Sequence, residues 1–108
     1  MIAIIEKHRP QIAVLCSRFG VHSLEVFGSA ADSAFDPVRS DIDFLVEFSQ
    51  DDAGSLVHRY FGLQEALEQL FGRKINLVTA SALKNPYFIA AVNQSRQSVY
   101  ASARAQAA

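Results

Sequence analysis

A single cysteine, Cys16, in a chain of 108 residues leaves no intramolecular disulfide to be formed. Stability must then come from a packed core, and a reducing cytoplasm is the expected setting. No apolar stretch approaches the roughly 20 residues that cross a bilayer, and the N-terminus lacks the basic region, apolar core and cleavage site of an export signal. A soluble, unexported protein is expected, with no membrane partner. Charge is also scarce in net terms, with ten Lys and Arg against eleven Asp and Glu and no basic tract, which argues against direct binding of nucleic-acid backbone. His8, His22 and His58 are too scattered for a zinc pattern. Asp41-Ile42-Asp43-Phe44-Leu45 places apolar residues where an EF-hand loop needs oxygen ligands and a glycine. No internal repeat is present.

Hydrophobic residues, in contrast, make up half of the chain, enough to exclude disorder of the whole. A domain of this size buries about two-thirds of its unfolded surface, so one domain over residues 1–102 is expected. Residues 103–108 close a low-complexity run and are expected to fray. After a first turn at Ile2–Ile5, helical spacing joins Ile12, Leu15, Cys16 and Phe19 behind Pro10, with Gly20 as the stop. A second stripe, Leu56, Tyr60, Leu63, Leu67 and Leu70, ends at Gly72. Asn85-Pro86 opens a third helix through Phe88, Ile89 and Val92. Cys16 lies on a buried stripe and reads as a packing residue. His58 and Arg59 read as solvated helix residues, and Tyr60, Phe61, Tyr87 and Phe88 as core or partner surface.

The chemistry is concentrated in two short runs. Ser23-Leu24-Glu25-Val26-Phe27 leads into Gly28-Ser29, and after eleven intervening residues comes Asp41-Ile42-Asp43-Phe44-Leu45-Val46-Glu47-Phe48. Alternation makes the second run a strand, with Asp41 and Asp43 on one face and Ile42 and Phe44 on the other. Their Cα atoms are then roughly 6.6 Å apart, close enough to share divalent metal. Like charges set side by side need a cation or donors to offset them, and Mg²⁺ suits oxygen ligands that leave room for water and phosphate. The plainer alternative is a solvated strand face, although Asp is depleted in strands. A glycine at a strand end permits a sharp turn, and a serine hydroxyl with exposed N–H groups can hold a phosphate.

These residues resemble the minimal nucleotidyltransferase (MNT) domains of the polymerase-beta-like nucleotidyltransferase superfamily. The similar stretch runs from Val26-Phe27-Gly28-Ser29-Ala30-Ala31 to Asp41–Phe48. Ile75-Asn76-Leu77-Val78-Thr79, with Ala82–Tyr87 after it, looks like the family's third core strand and following turn. The resemblance implies an α/β (α+β) fold, with a small mixed sheet of three to four strands and helices packed on one face. It also implies that Gly28 and Ser29 bind the nucleotide phosphates, that Asp41 and Asp43 hold Mg²⁺, with Mn²⁺ as the alternative, and that the third catalytic position falls on Asn76.

Two positions depart from the family pattern. Asn76 stands where an acid is expected; it keeps one oxygen ligand but has no charge and no capacity to act as a general base. Asp32 stands where the family usually has Arg. Facing a phosphate about 6 Å away, its charge would be repelled by roughly 3 kcal/mol at an effective dielectric near 20. The resemblance therefore leaves two functions open. One is Mg²⁺-dependent transfer of a nucleoside monophosphate from a triphosphate, ATP first, to a hydroxyl, with a partner protein as one acceptor. The other is a non-catalytic, antitoxin-like subunit that binds nucleotide or partner. MNT proteins are often encoded beside HEPN-domain proteins, so a HEPN partner is implied in both; a second copy of the chain is the alternative partner. A purely dimerising module is the third reading, and it leaves the acid pair without a physical reason.

Overall fold

Short alternating runs and longer helical stripes fold in the order α1 (Ala3–Lys7), α2 (Arg9–Arg18), β1 (Val21–Phe27), β2 (Ile42–Phe48), α3 (Leu56–Phe71), β3 (Ile75–Thr79), α4 (Pro86–Ser95) and β4 (Gln97–Ala101). This computed structural model describes residues 2–31, 41–50 and 54–102. A 3₁₀ turn, Gly28–Ala31, follows β1, and a second, Ala80–Ala82, follows β3. The expected tail, residues 103–108, lies outside the described residues.

Helix boundaries follow local chemistry. Pro10 sits in the first turn of α2, where a missing N–H costs nothing. At the start of α3, Ser55 accepts from the His58 N–H; at its end, Gly72 takes the left-handed conformation with φ 64°. Asn85 caps α4, its Oδ1 accepting from the N–H groups of Tyr87 and Phe88 at 2.9 and 3.4 Å.

The four strands form one mixed sheet in the order β3-β2-β1-β4, with β1 antiparallel to β2 and β4, and β2 parallel to β3. The main core lies on one face. Leu24, Val26, Ile42, Phe44, Val46, Ile75 and Leu77 pack there against Ile5, Ile12 and Cys16 of α1 and α2 and against Leu63, Leu67 and Phe71 of α3. Truncating a fully buried leucine such as Leu63 or Leu67 would cost about 2–5 kcal/mol. The α3 stripe extends to Phe71, whereas Leu56, in the first turn, is 54% exposed. Tyr60 is half-buried, its hydroxyl donating to the Leu77 carbonyl.

The expectation of helices on one face holds for α1, α2 and α3, while α4 covers part of the other. Phe27 and Leu45 point away from the main core and form a second cluster with Val92 of α4, flanked by Val78 and Leu83. Apolar side chains on both faces of β1 and β2 require cover on both.

Candidate active site

Strand register brings the sequence-predicted residues together. Phe27 pairs with Asp43 across the antiparallel ladder, and Asp43 pairs with Asn76 across the parallel one. Cross-strand partners project from the same face, so Phe27, Asp43 and Asn76 form one row on the α4 side of the sheet. Asp41 lies two residues before Asp43, just ahead of β2, and Gly28 follows Phe27 directly.

The Asp43 carboxylate has a neighbour at each oxygen. Its Oδ1 accepts a 2.8 Å hydrogen bond from Asn76 Nδ2. Its Oδ2 faces Gly28, and a Cβ added at Gly28 would lie 2.8 Å from that oxygen. Gly28 also has φ +70°, in the left-handed region. The glycine therefore meets two demands at once, a turn in the backbone and clearance for a carboxylate. Its N–H donates to Ser95 Oγ at 2.9 Å, so that N–H is used within the fold, and any phosphate donors lie further along the turn. The turn's far end is held by Gln97, whose Nε2 donates to the Ala31 carbonyl at 3.0 Å. No local sequence signal marks Ser95 or Gln97; only the fold brings them here.

Electrostatics set Asp43 apart. Burial pushes its carboxyl above the usual range, the Asn76 hydrogen bond pulls it back, and the Asp41 charge pushes it up again. Among the described residues no group of three or more His, Cys, Asp or Glu gathers to hold a metal. What remains is a hard-oxygen pair in which Asp43 is half-buried and pushed above its ordinary range by burial and by the Asp41 charge. That pair fits a divalent cation whose other ligands are water or phosphate. Asn76, with its amide nitrogen turned to Asp43, has a neutral carbonyl oxygen to offer.

Other residues fall elsewhere. The Ser29 side chain and Asp32 lie outside the described residues. Glu47 is exposed further along β2. Glu68 accepts from the Ile75 N–H. Arg59, expected in solvent, instead donates from Nη1 to the carbonyls of Ser49 and Gly20 at 3.0 and 3.3 Å and stacks over Phe48, because its stem lies against the end of β2. His58 is exposed. Cys16 is fully buried, its thiol pushed up to about 12 by burial, as a packing role requires. Phe88 meets Phe27 edge-on at 6.0 Å, whereas Tyr87 is 86% exposed. None of the described helices is long and apolar enough to cross a membrane.

Comparison with known proteins gives the family and the fold. The nucleotidyltransferase domain family matches residues 9–99. A Methanocaldococcus jannaschii protein named as a candidate protein adenylyltransferase is 36% identical over 84 residues, covering 78% of this chain and 79% of its own length. A solved candidate minimal nucleotidyltransferase superposes with a TM-score of 0.68 at 28% identity, covering 85% of this chain and 89% of that one. At 14% identity and a TM-score of 0.61, the fold is shared with a complex of a tri-AMPylated Shewanella oneidensis HEPN toxin and its MNT antitoxin, over 95% of this chain and 77% of that one. With the glycine turn, the acid pair and the third strand in place, the chain belongs to the nucleotidyltransferase domain family, in its minimal branch.

Proposed function

We propose that this domain transfers a nucleoside monophosphate, AMP from ATP first, to a hydroxyl of a HEPN-domain partner in the cytoplasm, and that residues 1–102 form a single nucleotidyltransferase-like domain. The observation that carries this reading is the Asp41 and Asp43 pair beside the clearance that Gly28 leaves for Asp43 Oδ2. Asp41 and Asp43 would hold the divalent cation, Mg²⁺ before Mn²⁺. When bound, the cation would neutralise phosphate charge and polarise the transferred group. The chain's own contribution is alignment and electrostatics. Ser29, the residue after Gly28, offers its backbone N–H and hydroxyl to the phosphates, Asn76 steadies Asp43, and Phe27 and Phe88 form an apolar floor beside the pair.

The domain is small, and the acceptor must come from elsewhere. The surface of α4 supports a protein partner: from Pro86 to Val92 every residue is apolar, yet only Val92 is buried. A helix apolar all round is ordinarily covered.

Asn76 favours a second reading, an antitoxin-like subunit that binds nucleotide and partner without turnover. Its side chain donates to Asp43 and cannot take the proton of an acceptor hydroxyl. The two readings separate in one experiment. The full-length chain is incubated with α-labelled ATP, Mg²⁺ and a HEPN protein, beside Asn76→Asp and Asp41→Ala/Asp43→Ala variants. Label transfer by the natural chain, lost in the double variant, supports the enzyme. Transfer by Asn76→Asp alone, or complex formation without transfer, supports the binding subunit.

A further inference from the structure

The turn after β1 is held at both ends by residues from the junction of α4 and β4. Gly28 N–H donates to Ser95 Oγ at 2.9 Å where the turn begins, and Gln97 Nε2 donates to the Ala31 carbonyl at 3.0 Å where it ends. The junction is itself fixed. Between those two residues, Arg96 makes a bidentate pair with Glu25 of β1, with both contacts at 2.6 Å, and its Nη1 donates to Asn93. Gln97 pairs with Val26 in the β1 and β4 ladder.

We infer that Ser95 and Gln97 are positioning residues for nucleotide phosphates, fixing the shape of the Gly28–Ala31 turn from the far end of the chain. The inference rests on the nucleotidyltransferase reading of that turn. A four-residue 3₁₀ turn has few hydrogen bonds of its own and poorer geometry than an α-helix, so its shape is set by what grips it. The Gly28 N–H is spent on Ser95, and a 3₁₀ turn spends its last N–H groups on carbonyls three residues back, which leaves the Ser29 N–H between them to meet a phosphate, in a direction that the two anchored ends set. The same grip keeps Gly28 against Asp43 Oδ2. Slack in the turn would therefore disturb the phosphate donors and the acid pair together.

The test uses the full-length chain with ATP and Mg²⁺, measuring affinity by titration calorimetry, stability by thermal unfolding, and exchange of the Gly28 amide by NMR. Ser95→Ala and Gln97→Ala should each weaken ATP about three- to tenfold, the effect of one hydrogen bond. Ser95→Thr keeps the hydroxyl and should retain natural affinity. Gly28 exchange should quicken in Ser95→Ala. Val99→Ala removes a side chain from the main core on the opposite sheet face; it should lower Tm and leave ATP affinity unchanged. Unchanged or tighter ATP binding in the two Ala variants overturns the inference, as does unaltered Gly28 exchange. Equal weakening in Val99→Ala also overturns it, because the effect would then be general stability. If the natural chain binds no ATP, the reading of the site fails and the positioning role with it. If the natural chain and every variant bind alike, only the positioning role fails.

Discussion

Replacing Gly28 by alanine separates the two demands placed on that residue, provided Gly72→Ala is measured beside it. Gly28 and Gly72 have nearly the same backbone, φ +70° and +64°, but an added Cβ meets nothing within 4 Å at Gly72 and lies 2.8 Å from Asp43 Oδ2 at Gly28. The left-handed conformation costs an alanine about 1–2 kcal/mol in either place. For a domain of this size that lowers Tm by roughly 4–15 °C. Only Gly28→Ala must also move a carboxylate. Contacts under 3.0 Å do not survive, and Asp43 is a short side chain whose other oxygen is tied to Asn76. Turning it away sacrifices a hydrogen bond of about 1 kcal/mol and displaces one of the two acids.

Thermal unfolding with and without Mg²⁺ or Mn²⁺ reads both effects. A cation that binds only the folded state at a hundred times its Kd adds about 2.7 kcal/mol to the natural chain. Gly72→Ala should lose baseline stability and keep that full increment. Gly28→Ala should lose at least as much stability and most of the increment too. If Gly28→Ala retains the metal response, or Gly72→Ala loses it to the same degree, the Gly28 clearance has no part in metal binding.

Three further outcomes follow from the same geometry. Asp43→Asn should raise the Tm of the metal-free protein at pH 7. A carboxyl raised in the folded state supports folding fully only below its unfolded value near 3.9, and that support is lost as pH rises through the folded value. The gain over the natural chain should therefore vanish in acid, and a constant gain across pH would contradict the assignment. Asn76→Asp replaces a donor to Asp43 by a like charge, so it should lower Tm in EDTA and enlarge the rise on adding Mg²⁺; equal Tm values in EDTA would show that the Asn76 hydrogen bond carries no weight. Cys16, with its thiol near 12, should resist alkylation in the native chain at pH 8 and react once the chain is unfolded; rapid native labelling would show that α2 opens readily.

Elements with strong local signals were legible in the sequence. The α3 stripe ends where Gly72 supplies a left-handed cap, and α4 starts where Asn85 caps and Pro86 follows, since both depend on neighbours a few residues away. The side of the sheet that Asp43 takes, opposite Ile42 and Phe44, was legible because alternation in β2 fixes which side chains share a face. Placement of α4 was harder. Phe27 beside Val26, and Leu45 between Phe44 and Val46, are the marks of strands covered on both faces, but a short apolar run does not say which helix provides the cover. The anchors from Ser95 and Gln97 leave no local trace, because they bridge more than sixty residues to reach Gly28 and Ala31.

Asn76 shows how a residue type can be legible while its consequence is not. In sequence it is a missing acid, a general base removed. Among the described residues it is one of three influences on Asp43, and it favours the charged form, against burial and the Asp41 carboxylate. An aspartate at that position would turn that favourable influence into a second repulsion across a 2.8 Å contact. The row Phe27, Asp43, Asn76 is thus stable without a cation in a way that three clustered acids are not, at the cost of negative charge with which to hold one. On the proposed function, phosphates that arrive with the nucleotide should add ligands and tighten a cation that the acid pair already binds. On that proposal the turn gripped by Ser95 and Gln97 serves the same cation and phosphates as the acids do.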